Sequence, residues 1–481
     1  MRLRLTILSL TSLALLTGCA SVDPWGVFEH VPPSRSKPFK DGIVSTENED
    51  APDSLGPDLS GRTLSLPECV HIALEHNPQT AAAWQAARAA AASVGRVRAE
   101  YLPAVGLSAG AERGDEAELD GKVDMGTQNR YQGVFGARWL LFDGGGREAR
   151  VEGAEADLLA ANFRHSAVLQ DLVLSVEENY YNLLAARSFK EVATETVRQR
   201  EYQLELARAR HRVGVVARSD VLKAETEKAD ADLALVRAQN AVHIAKGQLA
   251  RTMGLNANAE FEVADVPEES YGHALEDVDV LLAEAARNRP ELKTALAEVQ
   301  AEHAAVRLAQ SRYWPTLGLD TSFGWLGRHL LPDQRQWSFG AVADLPLFTG
   351  FDRPYQVQGA EADLARAMAD RQDALRGIEL EVWTAYWQVI EASQAVEAAR
   401  RLVASAQESA RVAEGEYKNG TGAIVDLIVA QTASTAARNG LIGARLDWHT
   451  AMARFERAVG RSLASMHQVA LESEAQRSNE E

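Results

Sequence analysis

From Leu66 onward the chain moves between two hydrophobic rhythms. Long stretches place apolar residues every three or four positions, as in a helix buried along one side, and shorter ones alternate every second position, as in a strand. A helix is predicted from about Leu66 to Glu100, stopped by Tyr101-Leu102-Pro103, because proline lacks an amide hydrogen and its ring collides with the preceding turn. Two strands follow, then a glycine turn at Asp143 to Gly146. A helical pattern free of proline then runs from about Arg147 to Arg212. At 1.5 Å per residue, ~65 residues make a rod of roughly 100 Å, far longer than a globular helix of three or four turns. The chain turns at Gly214 and returns as a shorter helix, about Ser219 to Met253.

The same succession occurs twice. Asn77-Pro78 recurs as Arg289-Pro290, and Tyr101-Leu102-Pro103 as Tyr313-Trp314-Pro315, both 212 positions on (78 to 290, 103 to 315). Beyond the strands the offset is 206 (153 to 359): Gly153-Ala154-Glu155-Ala156-Asp157-Leu158 recurs letter for letter as Gly359 to Leu364. Asp220 answers Asp426 and Gly254 answers Gly460 at the same spacing. A single length change between Pro103 and Leu141 accounts for both offsets, so the chain is an internal duplication. The second copy predicts a helix over about Val278 to Arg312, two strands, a turn at Thr349-Gly350, a long helix over about Pro354 to Lys418, a turn at Gly420 and a return helix over about Val425 to Val459.

The strands alternate strictly. Tyr131, Gly133, Phe135, Ala137, Trp139 and Leu141 share one face, opposite Gln132, Gly136 and Arg138. Leu317, Leu319, Phe323 and Trp325 oppose Thr316, Gly318, Asp320 and Ser322. Trp337, Phe339, Ala341, Ala343, Leu345 and Leu347 oppose Ser338, Gly340 and Asp344. A half-buried soluble sheet alternates too. Small polar second faces, terminal aromatics and ten-residue segments favour a barrel with an apolar exterior and a wet lumen, with Tyr131, Phe135, Trp139, Phe323, Trp325, Trp337 and Phe339 facing lipid. Four strands cannot close a barrel, and open edges are not tolerated in lipid, so several chains must share one.

The N-terminus has a basic start (Arg2, Arg4) and an apolar run from Leu5 to Leu16, a secretory signal too short to span a bilayer. It ends in Leu16-Thr17-Gly18-Cys19, the pattern of a bacterial lipobox, which marks Cys19 for acylation and cleavage after residue 18; Ala20 follows, not the aspartate that retains lipoproteins at the inner membrane. The expected segments are a signal at 1–18, a lipid-anchored Pro- and Ser-rich tether at 19–63, repeats at 64–260 and 278–461 joined by a linker at 261–277, and a polar tail at 462–481. No later run of 18 apolar residues predicts a spanning helix. A net charge of −18 argues against a nucleic-acid partner. Cys69 lies in a helical pattern, where a small buried hydrophobe is the expected role.

No catalytic, cofactor or metal constellation emerges. Asp143-Gly144-Gly145-Gly146 lacks the Gly-Lys-Ser/Thr ending of a phosphate loop, and its counterpart has lost the glycine run. Glu68-x-x-His71 is half of a di-iron motif with no second half. His71 and His76 are five residues apart, about 140° around a helix, and do not converge.

The lipobox, the duplicated helix–strand–strand–long helix–helix order and the glycine-marked turns together resemble the outer-membrane efflux protein (TolC) family over nearly all of residues 64–461. The resemblance implies an α plus transmembrane β fold: a trimer forming a twelve-helix periplasmic tunnel and a shared twelve-strand outer-membrane β-barrel. It implies a non-enzymatic channel in the bacterial outer membrane, reached from an inner-membrane pump through a periplasmic adaptor. The stretch Gly415 to Asp426 then corresponds to the family's periplasmic tip, with Tyr417 matching a gate-linking tyrosine and Asp426 an acidic constriction residue; Gly420, Gly214 and Asp220 mark the turns. Gly422 and Val429 stand where the best-known member has a gate-locking arginine and a second aspartate, so the lock here is looser or built differently. Asp426 and Asp220 also suit a helix cap or first turn. The competing class is a lipid-anchored periplasmic helical scaffold or adaptor without a pore, which has no use for the aromatic strands.

Overall fold

The computed structural model describes residues 23–38, 59, 61–115, 127–266, 276–330 and 332–461. Cys19, the signal and the polar tail lie outside these residues. The first repeat contains β1 (Thr63–Leu64), α1 (Leu66–His76), α2 (Pro78–Arg98), β2 (Ala104–Asp115), β3 (Thr127–Phe142), α3 (Gly146–Arg212) and α4 (Arg218–Thr252). After β4 (Glu262–Val263), the second contains α5 (Val278–Asn288), α6 (Pro290–Ser311), β5 (Thr316–Gly327), β6 (Gln334–Asp344), α7 (Asp352–Asn419) and α8 (Ile424–Val459).

The first predicted helix of each repeat is in fact two. The break falls at Asn77 and Arg289, whose ψ values of 129° and 122° are extended, because the ring of the following proline excludes the helical conformation there. The break then does structural work. Asn77 Oδ1 accepts from the amide of Gln79, and its Nδ2 donates to the carbonyl of Thr252 at the end of α4. Arg289, its counterpart, donates to the carbonyls of Arg457 and Ala458 at the end of α8. Each kink therefore satisfies the exposed carbonyls of its return helix. Gly254 adopts φ +77°, and a β-carbon there would come within 2.5 Å of the carbonyl oxygen of His76, so only glycine fits.

Each repeat has its own apolar core, and the two match position by position. Leu172, Val176 and Leu183 of α3 pack on Cys69 of α1 and Leu249 of α4. Their equivalents Ile378, Val382 and Val389 of α7 pack on Leu281 of α5 and on Trp448 and Phe455 of α8. Each such side chain contributes about 1.5–3 kcal/mol on full burial, so the cores are the main support of the hairpins. Cys69 is fully buried, and desolvation pushes its thiol up to about 12, fitting the packing role.

The four long strands form one antiparallel sheet in the order β2-β3-β5-β6, with β3 pairing β5 across the two repeats. Leu345 and Leu347 fall beyond the end of β6, so the predicted last strand is shorter than its alternation suggested. A buried arginine joins sheet to helices in each repeat. Arg147, at the start of α3, donates to the carbonyls of Leu140 and Leu141 at 2.6 and 2.8 Å and lies 4.8 Å from the Tyr101 ring. Arg353, at the start of α7, donates to the carbonyls of Pro346 and Arg312 and lies 5.3 Å from the Tyr313 ring.

Two differences concern the segments between and before the repeats. The stretch read as linker begins with β4, which pairs in parallel with β1. Within the stretch read as an irregular tether, residues 23–38 form a strap along α2 and α3. Val27 and Val31 are buried there; Arg98 donates to the Trp25 carbonyl, Trp84 to that of Pro32 and Asn162 to that of His30.

The repeats meet where α3 packs on α6 and α8. Arg457 of α8 pairs with Asp171 at 2.7 Å, and Arg454 with Glu178 at 2.7 Å. Between them Glu177 is buried, with Oε2 unpartnered, and burial plus the nearby Glu456 and Glu178 carboxylates push its pKa up to about 8. The folded state therefore holds a proton on Glu177 that the unfolded chain, with the ordinary value of 4.5, releases. Stability from this group is fully present below about pH 4.5 and declines as pH rises toward 8. Glu177→Gln keeps the shape without the charge. The thermal midpoint of the variant should exceed that of the wild type at pH 8 and approach it at pH 5; equal midpoints at both pH values would contradict the assignment.

Candidate functional site

Two regions carry the residues singled out from the sequence, and the helical rods hold them far apart. At one end is the sheet. Register places Leu107 beside Phe135, Phe135 beside Phe323, and Phe323 beside Trp337, so the apolar faces of all four strands form one continuous surface. Gly133 lies opposite Trp325, and Thr321 opposite Phe339, on that same face. Trp139 donates its indole N–H to the Tyr101 carbonyl at 2.9 Å, fixing one aromatic at the helix-proximal rim. Tyr131, at the far end of β3, is half-buried. Trp337 and Phe339 are 76% and 70% exposed, and Phe135, Trp139, Phe323 and Trp325 between 41% and 50%. At ~200 Å² per aromatic side chain, these six alone expose on the order of 600 Å². That reaches the upper limit of the largest apolar patch on a soluble monomer, before Val105 and Leu107 are added.

The other face is polar. Arg138 pairs with Asp320 directly across the β3–β5 ladder at 2.8 Å, and the Ser322 and Ser338 hydroxyls lie 2.8 Å apart. Such a sheet separates an apolar medium from an aqueous one. Among the described residues β2 and β6 each have a single neighbour, leaving two open edges. No described helix is long and apolar enough to cross a membrane.

At the far end are the two helix turns. Gly214 and Gly420 both take the left-handed conformation, φ +78° and +84°, which lets each chain reverse without a side-chain clash. Tyr417 is 2% exposed and packs with Leu204, Ala207, Ala224, Ile424 and Leu427, so it ties the last turn of α7 to the other three helices. Asp220 and Asp426 stand three residues past the N-caps Ala217 and Ala423, and neither cap makes a side-chain hydrogen bond. Both carboxylates therefore face their helix dipole from the first turn and do not serve as caps. Lys223 lies 3.9 Å from Asp220, while Asp426 is exposed.

Two arginines that the sequence did not single out hold the hairpins together here. Arg210 of α3 donates to the Tyr417 carbonyl at 2.6 Å, with its guanidinium 4.7 Å from the Tyr417 ring centre. Further from the turn, Arg200 is 5% exposed and donates to Gln203, Gln431 and Thr432, with Glu227 3.4 Å away. The duplication concealed both residues: position 206 beyond Arg200 is Ala406, and beyond Arg210 is Glu416, so neither is marked by repetition. No cluster of three or more His, Cys, Asp or Glu able to hold a metal occurs among the described residues.

The outer membrane efflux protein model matches residues 69–255 and 281–461, two stretches that follow the duplication. The chain belongs to the outer membrane efflux protein family. Protein CyaE of Bordetella pertussis is 30% identical over 386 residues, covering 78% of this chain and 79% of that protein. Outer membrane protein TolC of Vibrio cholerae is 25% identical over 408 residues, covering 82% and 90%. In fold, the chain resembles the crystal structure of outer membrane protein VceC from Vibrio cholerae, with a TM-score of 0.71 and 20% identity over 82% of this chain and 96% of that one. This efflux protein is accordingly an outer-membrane channel of a tripartite export system, extending into the periplasm. Its family consists of trimeric channels, not enzymes, that work with an adaptor and an inner-membrane pump.

Proposed function

We propose that three copies of this chain close one twelve-strand barrel over a twelve-helix tunnel, anchored by an acyl group on Cys19 and gated at the α7–α8 turn. The observation that carries this is the sheet: one continuous apolar face, one polar face and two unpaired edges. Inside a bilayer each unpaired backbone group costs several kcal/mol, so the edges must meet those of other copies. A periplasmic scaffold without a pore would expose the same apolar face to water. The aromatics Tyr131, Phe135, Trp139, Phe323, Trp325, Trp337 and Phe339 are assigned to the lipid side, and Arg138 and Asp320 to the lumen.

The strap supports the anchor. Trp25 is held at Arg98, in the last turn of α2 before the strands, whereas Arg35 is held by His165, 19 residues into α3. Arg98 also pairs with Glu155 of α3, so between Trp25 and Arg35 the strap runs away from the sheet along about ten residues of α3, roughly 15 Å at helical rise. Its beginning, four residues after Cys19 in sequence, lies at the membrane end. A closed barrel buries many side chains in the bilayer, so its retention does not depend on the lipid. Cys19→Ser should therefore remove the lipid label and leave the protein in the membrane fraction after alkaline extraction. Release of folded protein into the soluble periplasm would overturn the barrel reading.

At the tip, Asp426 is assigned to a constriction ring, one carboxylate from each copy, with Gly420 and Gly214 as turn points and Tyr417 as the residue linking the inner and outer hairpins. Three carboxylates near one axis concentrate cations. Purified protein in planar bilayers should give discrete cation-selective conductance steps. Asp426→Asn should lower that selectivity and weaken block by multivalent cations, with little change in thermal stability, whereas Asp220→Asn should leave selectivity unaltered. Inserted protein without conductance would refute the channel reading for this chain; unchanged selectivity in Asp426→Asn would remove only the gate assignment.

A further inference from the structure

The two repeats are equivalent in sequence but not in the company they keep. Among the described residues, α3 packs on α1, α2 and α4 of its own repeat and on α6 and α8 of the second. Above the tip, where Tyr417 meets α3 and α4, its counterpart α7 packs chiefly on α5, α6 and α8, all from its own repeat. The partners that a repeated arrangement would bring to α7 are the equivalents of α6 and α8, namely α2 and α4. Within the chain neither helix packs along α7; α4 meets it at the tip, where Ala224 lies against Tyr417.

The surfaces left over fit this arrangement. The α3–α8 contact includes Tyr181 stacked on His449, ring centres 4.2 Å apart and planes within 10°. At the offset of 206, Tyr181 corresponds to Trp387 and His449 to His243 (181 to 387, 243 to 449). Both counterparts are exposed: Trp387 is 50% exposed, beside Trp383 at 48% and Leu380 at 65%, a stripe at helical spacing on α7. On α4, His243 is exposed, flanked by Ile244 at 53% and Val236 at 61%.

We propose that the seam between subunits repeats the α3–α8 contact, with His243 of the partner subunit stacked on Trp387. The proposal rests on the trimer reading and adds the residues that join one copy to the next. It also predicts the chemistry of the seam. The in-chain pairs Arg454–Glu178 and Arg457–Asp171 correspond to Gln248 with Thr384 and Arg251 with Gly377, so neither ion pair has a counterpart. The seam is accordingly held by aromatic and aliphatic contact at this level, while the in-chain junction adds two ion pairs to its aromatic stack.

Photo-cross-linking tests the seam. Trp387 is replaced by p-benzoylphenylalanine, which keeps an aromatic of similar bulk, and covalent dimers are separated from monomers before their linked peptides are sequenced. Irradiation should give a covalent dimer whose linked peptide includes His243. The reciprocal probe at the exposed His243 should label the peptide containing Trp387, and it serves if the first variant folds poorly. Native mass spectrometry on the same preparations separates the outcomes. Trimers whose adducts map elsewhere on the partner, or only within the probed chain, overturn the seam and leave the trimer standing. Monomers with no intermolecular adduct overturn both.

Discussion

A backbone amide inside a lipid bilayer can donate only to another part of a protein. Four strands satisfy this requirement along β3 and β5 and leave it unmet along the outer sides of β2 and β6. Much of the rest of the molecule follows from it. The apolar face gives the sheet its place in the membrane, the open edges require further copies, and those copies bring the long helices into register beneath them. The paired arginines Arg147 and Arg353 occupy the joint between the two layers, each buried against a tyrosine and tied to backbone carbonyls where strand and helix meet. Their repetition indicates that the joint is made the same way twice per chain.

Duplication also explains which parts of the chain could be read from sequence. The rhythm of apolar residues placed the long helices to within about two residues, because a rod of 67 residues is bounded by glycine turns with no competing signal. The strand faces were legible because alternation of period two and the register of the sheet agree from Tyr131 to Phe339. The breaks at Asn77 and Arg289 were missed although both prolines stood in the repeat. A proline at the first position of a helix looks the same in sequence as one that divides a continuous helix, and the deciding factor is where the return helix ends. The strap was missed because its hold on α2 and α3 uses backbone carbonyls, which carry no sequence signature.

The tip was only partly legible for a related reason. Repetition drew the eye to Asp220 and Asp426, which are equivalent, whereas Arg200 and Arg210 act between the repeats and have no equivalents. At these two positions the second repeat carries Ala406 and Glu416, so repetition could not mark them. The buried Arg200 is satisfied by neutral amides and a hydroxyl as well as by Glu227, so its charge is shared over α3, α4 and α8 and fixes their relative position. Within the chain this position is set by polar contacts of high specificity, while the exposed flanks of α4 and α7 carry large apolar residues suited to joining another copy.

The central claim is that β2 and β6 have neighbours in the assembled protein. Hydrogen exchange on the detergent-solubilised assembly measures this amide by amide. Amides of β2 and β6 that point away from β3 and β5 should be protected as strongly as those of the inner ladder. Exchange of these amides within seconds, while β3 and β5 remain protected, would show that the edges are open and would contradict the account.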